Sequence, residues 1–202
     1  MFDNIAKEWD SEKRIERAKL IANEMLENVD IDSKSTGLEF GCGTGLISFN
    51  LIDKLDKITL IDTSKGMIDV LKEKIERADV ENMIPLQGDV DYLIKKGEKY
   101  DFIYTSMVLH HIDDAKGTIG KLIQLLNKEG LLCVVDLNTE SGSFHGDEGD
   151  FHGHNGFDQR EIQSIFTRYG LEEVASHTFY KGIKETKEKN VDYSLFIARG
   201  RK

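Results

Sequence analysis

The chain has 202 residues, 37 acidic against 27 basic, a net charge of -10, and hydrophobic and charged shares of 39% and 32%. That length and composition suit one globular α/β core and are short for two. The negative balance, with Lys and Arg interspersed among acids, speaks against nucleic-acid binding, and no run approaches the roughly 20 apolar residues of a membrane span.

The opening residues, with Asp3, Asn4, Lys7 and Glu8, do not form a secretory signal. Cys42 and Cys133 lie far apart in apolar runs without metal-like spacing, which fits buried thiols in a cytoplasmic protein.

From Phe2 to Val29 the spacing of Ile15, Ala18, Ala22, Met25 and Val29 predicts a helix with one apolar face, a helical cap over about 1–30. Short strand-like runs follow at Gly37–Phe40, Lys57–Ile61, Met83–Leu86, Tyr100–Tyr104 and Leu131–Val135. Helical stripes lie between them, such as Ile68, Leu71 and Ile75, or Ile119, Leu122, Ile123 and Leu126. Strands alternating with helices imply a parallel sheet with right-handed crossovers. An irregular polar stretch over about 138–157 reads as a lid-like insertion, and Ile162, Ile165, Phe166 and Tyr169 mark a further helix. Runs near Glu173–Tyr180 and Asp192–Ala198 have no helix between them and are expected to pair antiparallel at the sheet edge. The expectation is one domain over 1–202, a doubly wound, mostly parallel, Rossmann-like α/β sheet with helices on both faces.

The sharpest motif is Leu38-Glu39-Phe40-Gly41-Cys42-Gly43-Thr44-Gly45-Leu46, which ends the first strand and opens a helix. Glycines at 41, 43 and 45 bare the backbone at the carboxyl end of a strand, where open α/β sheets bind ligands. Asp62 ends the second strand about 20 residues on, where a carboxylate can accept both hydroxyls of a ribose; otherwise it is a turn residue or caps the next helix. Asp89 ends the third strand and either accepts from an adenine amino group or caps a helix. Dinucleotide binders need a third glycine where Leu46 stands.

These motifs, in this order, resemble the class I methyltransferases that use S-adenosylmethionine (SAM), above all the small-molecule group that includes ubiquinone and menaquinone methyltransferases. Glu39-Phe40-Gly41-Cys42-Gly43-Thr44-Gly45 is similar to their first motif, Asp62 to the ribose-binding acid, Gly88-Asp89-Val90 to the adenine contact, and Tyr100–Ile103 through Leu109-His110-His111-Ile112 to the fourth motif. Leu126–Leu132 resembles the turn into the fifth strand. The resemblance implies a seven-stranded sheet with its last strand antiparallel, and SAM held by Trp9, Gly41, Cys42, Gly43, Thr44, Gly45, Asp62, Thr63, Met67, Gly88, Asp89, Val90, Ser106 and Met107. Phe2 to Asp10 is similar to a segment that folds over the cofactor in this group. Thr105-Ser106-Met107-Val108 departs from the Asn-Pro-Pro-Tyr type of motif, which argues against methylation of adenine or a glutamine amide.

Methyl transfer from a sulfonium needs no acid, because the leaving group departs neutral; a base matters only if the acceptor must lose a proton. His110, His111 and His154 are the candidate catalytic histidines, and orienting a loop is their plainer role. His145, Asp147, Asp150, His152 and His154 share the lid-like stretch and offer a metal-ligand composition. Neither cysteine nor a helical histidine pair supports that, so the sequence reading assigns no metal. Phe144, Phe151 and Phe157 either close an apolar pocket or anchor the lid. Trp9 stacks over the cofactor or staples a helix, and Met67 packs on adenine or is plain core. A small-molecule acceptor is expected. The alternatives are a nicotinamide-dependent oxidoreductase and a SAM-binding protein without catalysis.

Overall fold

A computed structural model describes residues 2–146, 151–186 and 189–202. Its frame is a seven-stranded sheet in the order β3-β2-β1-β4-β5-β7-β6, built from β1 (Thr36–Phe40), β2 (Lys57–Asp62), β3 (Met83–Gln87), β4 (Tyr100–Ser106), β5 (Leu126–Leu137), β6 (Glu172–Glu185) and β7 (Asn190–Arg201). β1 pairs in parallel with β2 and β4, β2 with β3, and β4 with β5. β7 runs antiparallel to both β5 and β6. The expected mostly parallel sheet with an antiparallel last strand is therefore present. The chain winds outward from β1 to β3 and then returns to β4, so the strand order reverses between β1 and β4. In open α/β sheets that reversal splays two loops apart and leaves a crevice at the carboxyl ends.

Alternation along the strands divides the core between the two faces. Phe102, Tyr104, Cys133, Val135, Leu195 and Ile197 point to one side, where they meet Ala18, Ile21, Ala22 and Met25 of α2 (Glu12–Asn28) and Ile68 and Leu71 of α3 (Lys65–Ala78). Leu38, Ile103, Leu132, Val134, Phe196 and Ala198 point to the other. There they pack on α4 (Val90–Lys96), α5 (Ala115–Gln124) and α6 (Gln159–Arg168) through Leu93, Ile119, Leu122, Ile162 and Phe166. Each large side chain fully removed from water contributes about 1.5–3 kcal/mol. Both cysteines are buried free thiols. No helix among the described residues is long and apolar enough to cross a membrane.

The amino-terminal segment differs from the single helix expected over Phe2–Val29. It forms a short α1 (Phe2–Ile5), a 3-10 turn at Ala6–Glu8, and then α2, with Ser11 in an extended conformation at the N-cap. The break falls at Trp9-Asp10-Ser11, where Asp10 turns its side chain away to Lys74 and Thr44. Ile15 is 47% exposed, and Ile21 takes the place on the apolar face that the spacing had given to Ile15. β6 and β7 also extend beyond the runs that announced them, reaching Glu185 at the end of β6 and from Asn190 to Arg201 in β7, mostly through polar residues.

Candidate functional site

The glycine loop leaves β1 by crossing onto β2, with the N–H groups of Gly41 and Cys42 both donating to the Ile61 carbonyl, at 2.8 and 3.1 Å. Gly41 has a left-handed φ of 70°, and a Cβ there would stand 2.4 Å from Val108 Cγ2, so the turn and its packing both demand glycine. Gly43 has φ 52°, and a Cβ there would meet only Trp9 Nε1 at 3.6 Å and Met67 Sδ at 4.0 Å. A side chain there would meet Trp9 and Met67 only at ordinary contact distance, so the backbone at Gly43 is uncrowded on the cavity side.

Asp62, at the tip of β2, holds the loop in place. One carboxylate oxygen accepts from Gly43 N–H at 2.8 Å, and the other accepts from Ser64 N–H at 2.8 Å. Burial pushes its pKa up, against the pull of these two backbone bonds. Two of the roughly four lone-pair positions of a carboxylate are thereby used, and about two remain.

Between this loop and the end of β4 lies a cavity of about 330 Å³, within the range of small-ligand pockets. The amino-terminal segment forms its roof, through Phe2 and Trp9. Asp3 fastens the segment to the start of α3, accepting from Ser64 Oγ at 2.8 Å and Gly66 N–H at 2.6 Å, which draw its carboxyl below the ordinary range. Asp10 accepts from Thr44 Oγ1 and pairs with Lys74 at 2.6 Å. Lys74 also donates to the Thr44 carbonyl at 2.8 Å, so loop and roof share one cation.

Two arginines on α2 join the wall. The Arg14 guanidinium lies 4.1 Å from the Trp9 ring centroid and donates to the Trp9 carbonyl at 3.1 Å; Arg17 donates to Tyr193 Oη at 3.2 Å. Burial, and after it the Arg17 charge, lowers the pKa of Arg14. Glu39, also on the cavity wall, accepts from Ser48 Oγ, which in turn bonds Tyr104 Oη at 2.6 Å. Burial raises the Glu39 pKa to about 8, although the Ser48 bonds oppose it.

Of the residues expected to hold a cofactor, Trp9, Gly41, Cys42, Gly43, Thr44, Asp62, Thr63, Met67, Gly88, Ser106 and Met107 line the cavity. Gly45, Asp89 and Val90 do not: Gly45 packs against Leu71, Val90 is buried in the core, and Asp89 caps α4 by accepting from Tyr92 N–H at 3.0 Å. Met107 adopts a left-handed φ of 58° where β4 gives way to the following loop, a conformation that a non-glycine residue holds only where its surroundings enforce it.

The three candidate catalytic histidines separate. His111 stands on the cavity wall. His110 lies behind it, 1% exposed, with Nδ1 2.5 Å from Asp136 Oδ1 at the carboxyl end of β5. His154 donates from Nε2 to the carbonyls of Ile112 and Asp113, at 3.0 and 3.2 Å, and so ties the lid-like stretch to the loop after β4. His145, from that same stretch, packs beside His110 and His111 with ring centroids 5.1 Å from each. Asp147 and Asp150 lie outside the described residues, and His152 is exposed.

Sequence reasoning did not single out Arg14, Arg17 or Asp136, nor give Glu39 a place in the site. Arg14, Arg17, Ala18 and Ile21 do follow the i, i+3, i+4, i+7 pattern of one helix face, which was the available signal. For Asp136 the signal was an acid inside the apolar end of β5, where it is 0% exposed.

The comparisons with known proteins agree with this architecture. An uncharacterised methyltransferase of Schizosaccharomyces pombe is 34% identical over 174 residues, covering 77% of this chain and 61% of that protein. A malonyl-[acyl-carrier protein] O-methyltransferase of Acetivibrio thermocellus is 32% identical over 136 residues, covering 65% of this chain and 46% of that one. The chain thus spans about half to three-fifths of the length of these curated relatives. A crystal structure of a SAM-dependent methyltransferase from Aquifex aeolicus superposes with a TM-score of 0.67 at 16% identity, covering 98% of this chain and 97% of the other, which is a likeness of fold. The model of the methyltransferase domain matches residues 11–176, and with most of its length matched the chain belongs to the methyltransferase-domain family.

Proposed function

We propose that the chain is a SAM-dependent methyltransferase acting on a small-molecule acceptor in the cytoplasm. The observation that carries this reading is the Asp62 carboxylate, fixed at the tip of β2 by Gly43 and Ser64, with lone pairs to spare beside the cavity. The other wall groups suit a nucleoside that bears a zwitterionic amino acid. Asp62 would accept from the ribose hydroxyls. Arg14 and Arg17 would offset a carboxylate, and the Glu39 carboxyl would accept a hydrogen bond from an ammonium. Met67 and Ile61 would flank the base, and Trp9 and Phe2 would cover it. A pyrophosphate suits this wall badly, because Asp62 would oppose its charge and Leu46 stands where a dinucleotide loop needs glycine.

When bound, SAM supplies a methyl carbon on a sulfonium that departs as a neutral thioether. The chain's own task is to exclude water and hold the acceptor in line, and confining two reactants in this way is worth several kcal/mol. The Phe2–Trp9 roof provides the exclusion. His111 is the candidate catalytic histidine that lines the cavity, and it would stand beside the acceptor. The name of the Acetivibrio thermocellus relative, an O-methyltransferase of malonyl-[acyl-carrier protein], supports an acceptor other than nucleic acid, and the net charge of -10 supports the same choice.

Isothermal titration of the full chain with SAM, S-adenosylhomocysteine (SAH) and NAD tests the reading. Saturable binding of SAM and SAH with none of NAD is expected. Binding of NAD alone would overturn it.

A further inference from the structure

We propose that His110, His111 and His145 form a transition-metal site with an open coordination position turned toward the cavity. The three residues come from two separate parts of the chain, the loop after β4 and the lid-like stretch after β5. Each offers one ring nitrogen, and those atoms lie within 4.8 Å of one another. Three nitrogens at about 2.05 Å from a tetrahedral zinc ion stand about 3.3 Å apart, so the rings need to close by about 1.5 Å at most.

The surroundings fix the rings as a metal site requires. His110 Nδ1 donates to Asp136 Oδ1 at 2.5 Å, which fixes the ring and leaves Nε2 as the ligand atom. Asp136 is itself held, accepting from the backbone N–H groups of His110 and Leu137 at 3.3 and 2.7 Å. His145 stacks on Phe151 with centroids 3.8 Å apart and ring planes 10° from parallel. His111 meets Phe2 and Phe151 edge to face at 5.4 and 5.5 Å. His110 and His145 are 1% and 5% exposed, so two of the three rings sit in the protein interior.

Three imidazoles backed by one carboxylate select Zn²⁺, Co²⁺ or a similar borderline ion over Mg²⁺, which takes oxygen ligands. A three-histidine set leaves one tetrahedral position open. Of the three rings, His111 lines the cavity, and through it the open position would meet the acceptor.

The consequence for the acceptor rests on the methyltransferase reading above. A hydroxyl or thiol of the acceptor that enters the open position loses its proton to solvent more readily, because the dication stabilises the anion. Its lone pair then forms the bond to the methyl carbon while the carbon–sulfur bond breaks and its electrons stay on sulfur. The metal changes no oxidation state.

The test uses the full chain, stripped with a chelator and titrated with CoCl₂. One Co²⁺ per chain is expected, with visible ligand-field bands, displacement by Zn²⁺ and indifference to Mg²⁺. Asp136→Asn should weaken Co²⁺ binding by about 10–100-fold. His111→Ala and His145→Ala should weaken it at least as much, and His177→Ala, remote from the cluster, should leave it unchanged. Parent chain that shows no ligand-field bands, or that binds Co²⁺ no better than His111→Ala, overturns the proposal, and the parent result stands whether or not a variant folds. SAH affinity is measured on the same samples. Metal binding without SAH binding removes the methyltransferase reading alone, and SAH binding without metal removes this site alone.

Discussion

Replacing Asp62 with alanine tests the site most directly, because one carboxylate serves both the loop and the proposed ligand. In the structure it accepts two backbone N–H bonds of 2.8 Å, which leaves about two lone-pair positions for two hydroxyls of a ribose. Hydrogen bonds to an ionised acceptor are worth about 1.5–3 kcal/mol each. Two lost together would give about 3–6 kcal/mol, and water entering the vacated space returns part of it. A loss of at least about 1.4 kcal/mol, or tenfold in Kd, is therefore the floor.

The chain should nonetheless stay folded. Two N–H groups lose a partner at about 1–3 kcal/mol each where water does not reach them, but a carboxylate that resists burial leaves with them. Asp62→Asn keeps an oxygen for the Gly43 N–H and should fall between parent and alanine. Calorimetric titration with SAH, alongside thermal unfolding of the same samples, reads both effects. An alanine variant that binds SAH within about twofold of parent would refute the ribose assignment.

Glu39 makes a second prediction through its pKa of about 8, against an ordinary 4.5. The folded chain holds this proton more tightly than the unfolded chain does, so the Glu39 contribution to stability is fully present below about pH 4.5 and is lost as pH rises through about 8, by on the order of 5 kcal/mol. In the ligand-free chain, Glu39→Gln should therefore gain stability relative to parent between pH 5 and pH 8 in urea unfolding, and a constant difference would contradict the raised pKa. Trp9 is the only tryptophan in the chain and forms part of the cavity roof, so saturating SAH should change its emission. A spectrum that does not move would place the ligand away from the roof.

Much of this fold is legible in the sequence for a specific reason. β1, β2 and β4 are buried along most of their length and so read as short, mainly apolar runs, and the observed limits of β1 to β4 fall within two residues of those runs. β6 is exposed or half-exposed along its whole length and β7 only toward its ends, and their polar residues there hide among ordinary surface residues. The Phe2–Val29 periodicity concealed a break, because Trp9-Asp10-Ser11 is stabilised by distant partners, Thr44 and Lys74, that no local pattern reveals. The glycine loop and Asp62 are local motifs at strand tips, and both face the cavity. The pairing of His145 with His110 and His111 is tertiary: it depends on how the stretch after β5 returns over β4, and spacing in the chain says nothing of that.

The fourteen-residue β6 closes one side of the sheet with a row of backbone groups that another chain could in principle pair with. Its register slips twice, between Glu172 and Ala175 and between Thr178 and Tyr180, which disrupts the regular ladder a foreign strand would copy. Glu172, Glu173, Lys181 and Glu185 set exposed charges along the same rim. Sheet growth into fibrils is thus opposed by shape and by electrostatic repulsion together, so a long border can stay unpaired without seeding a fibril.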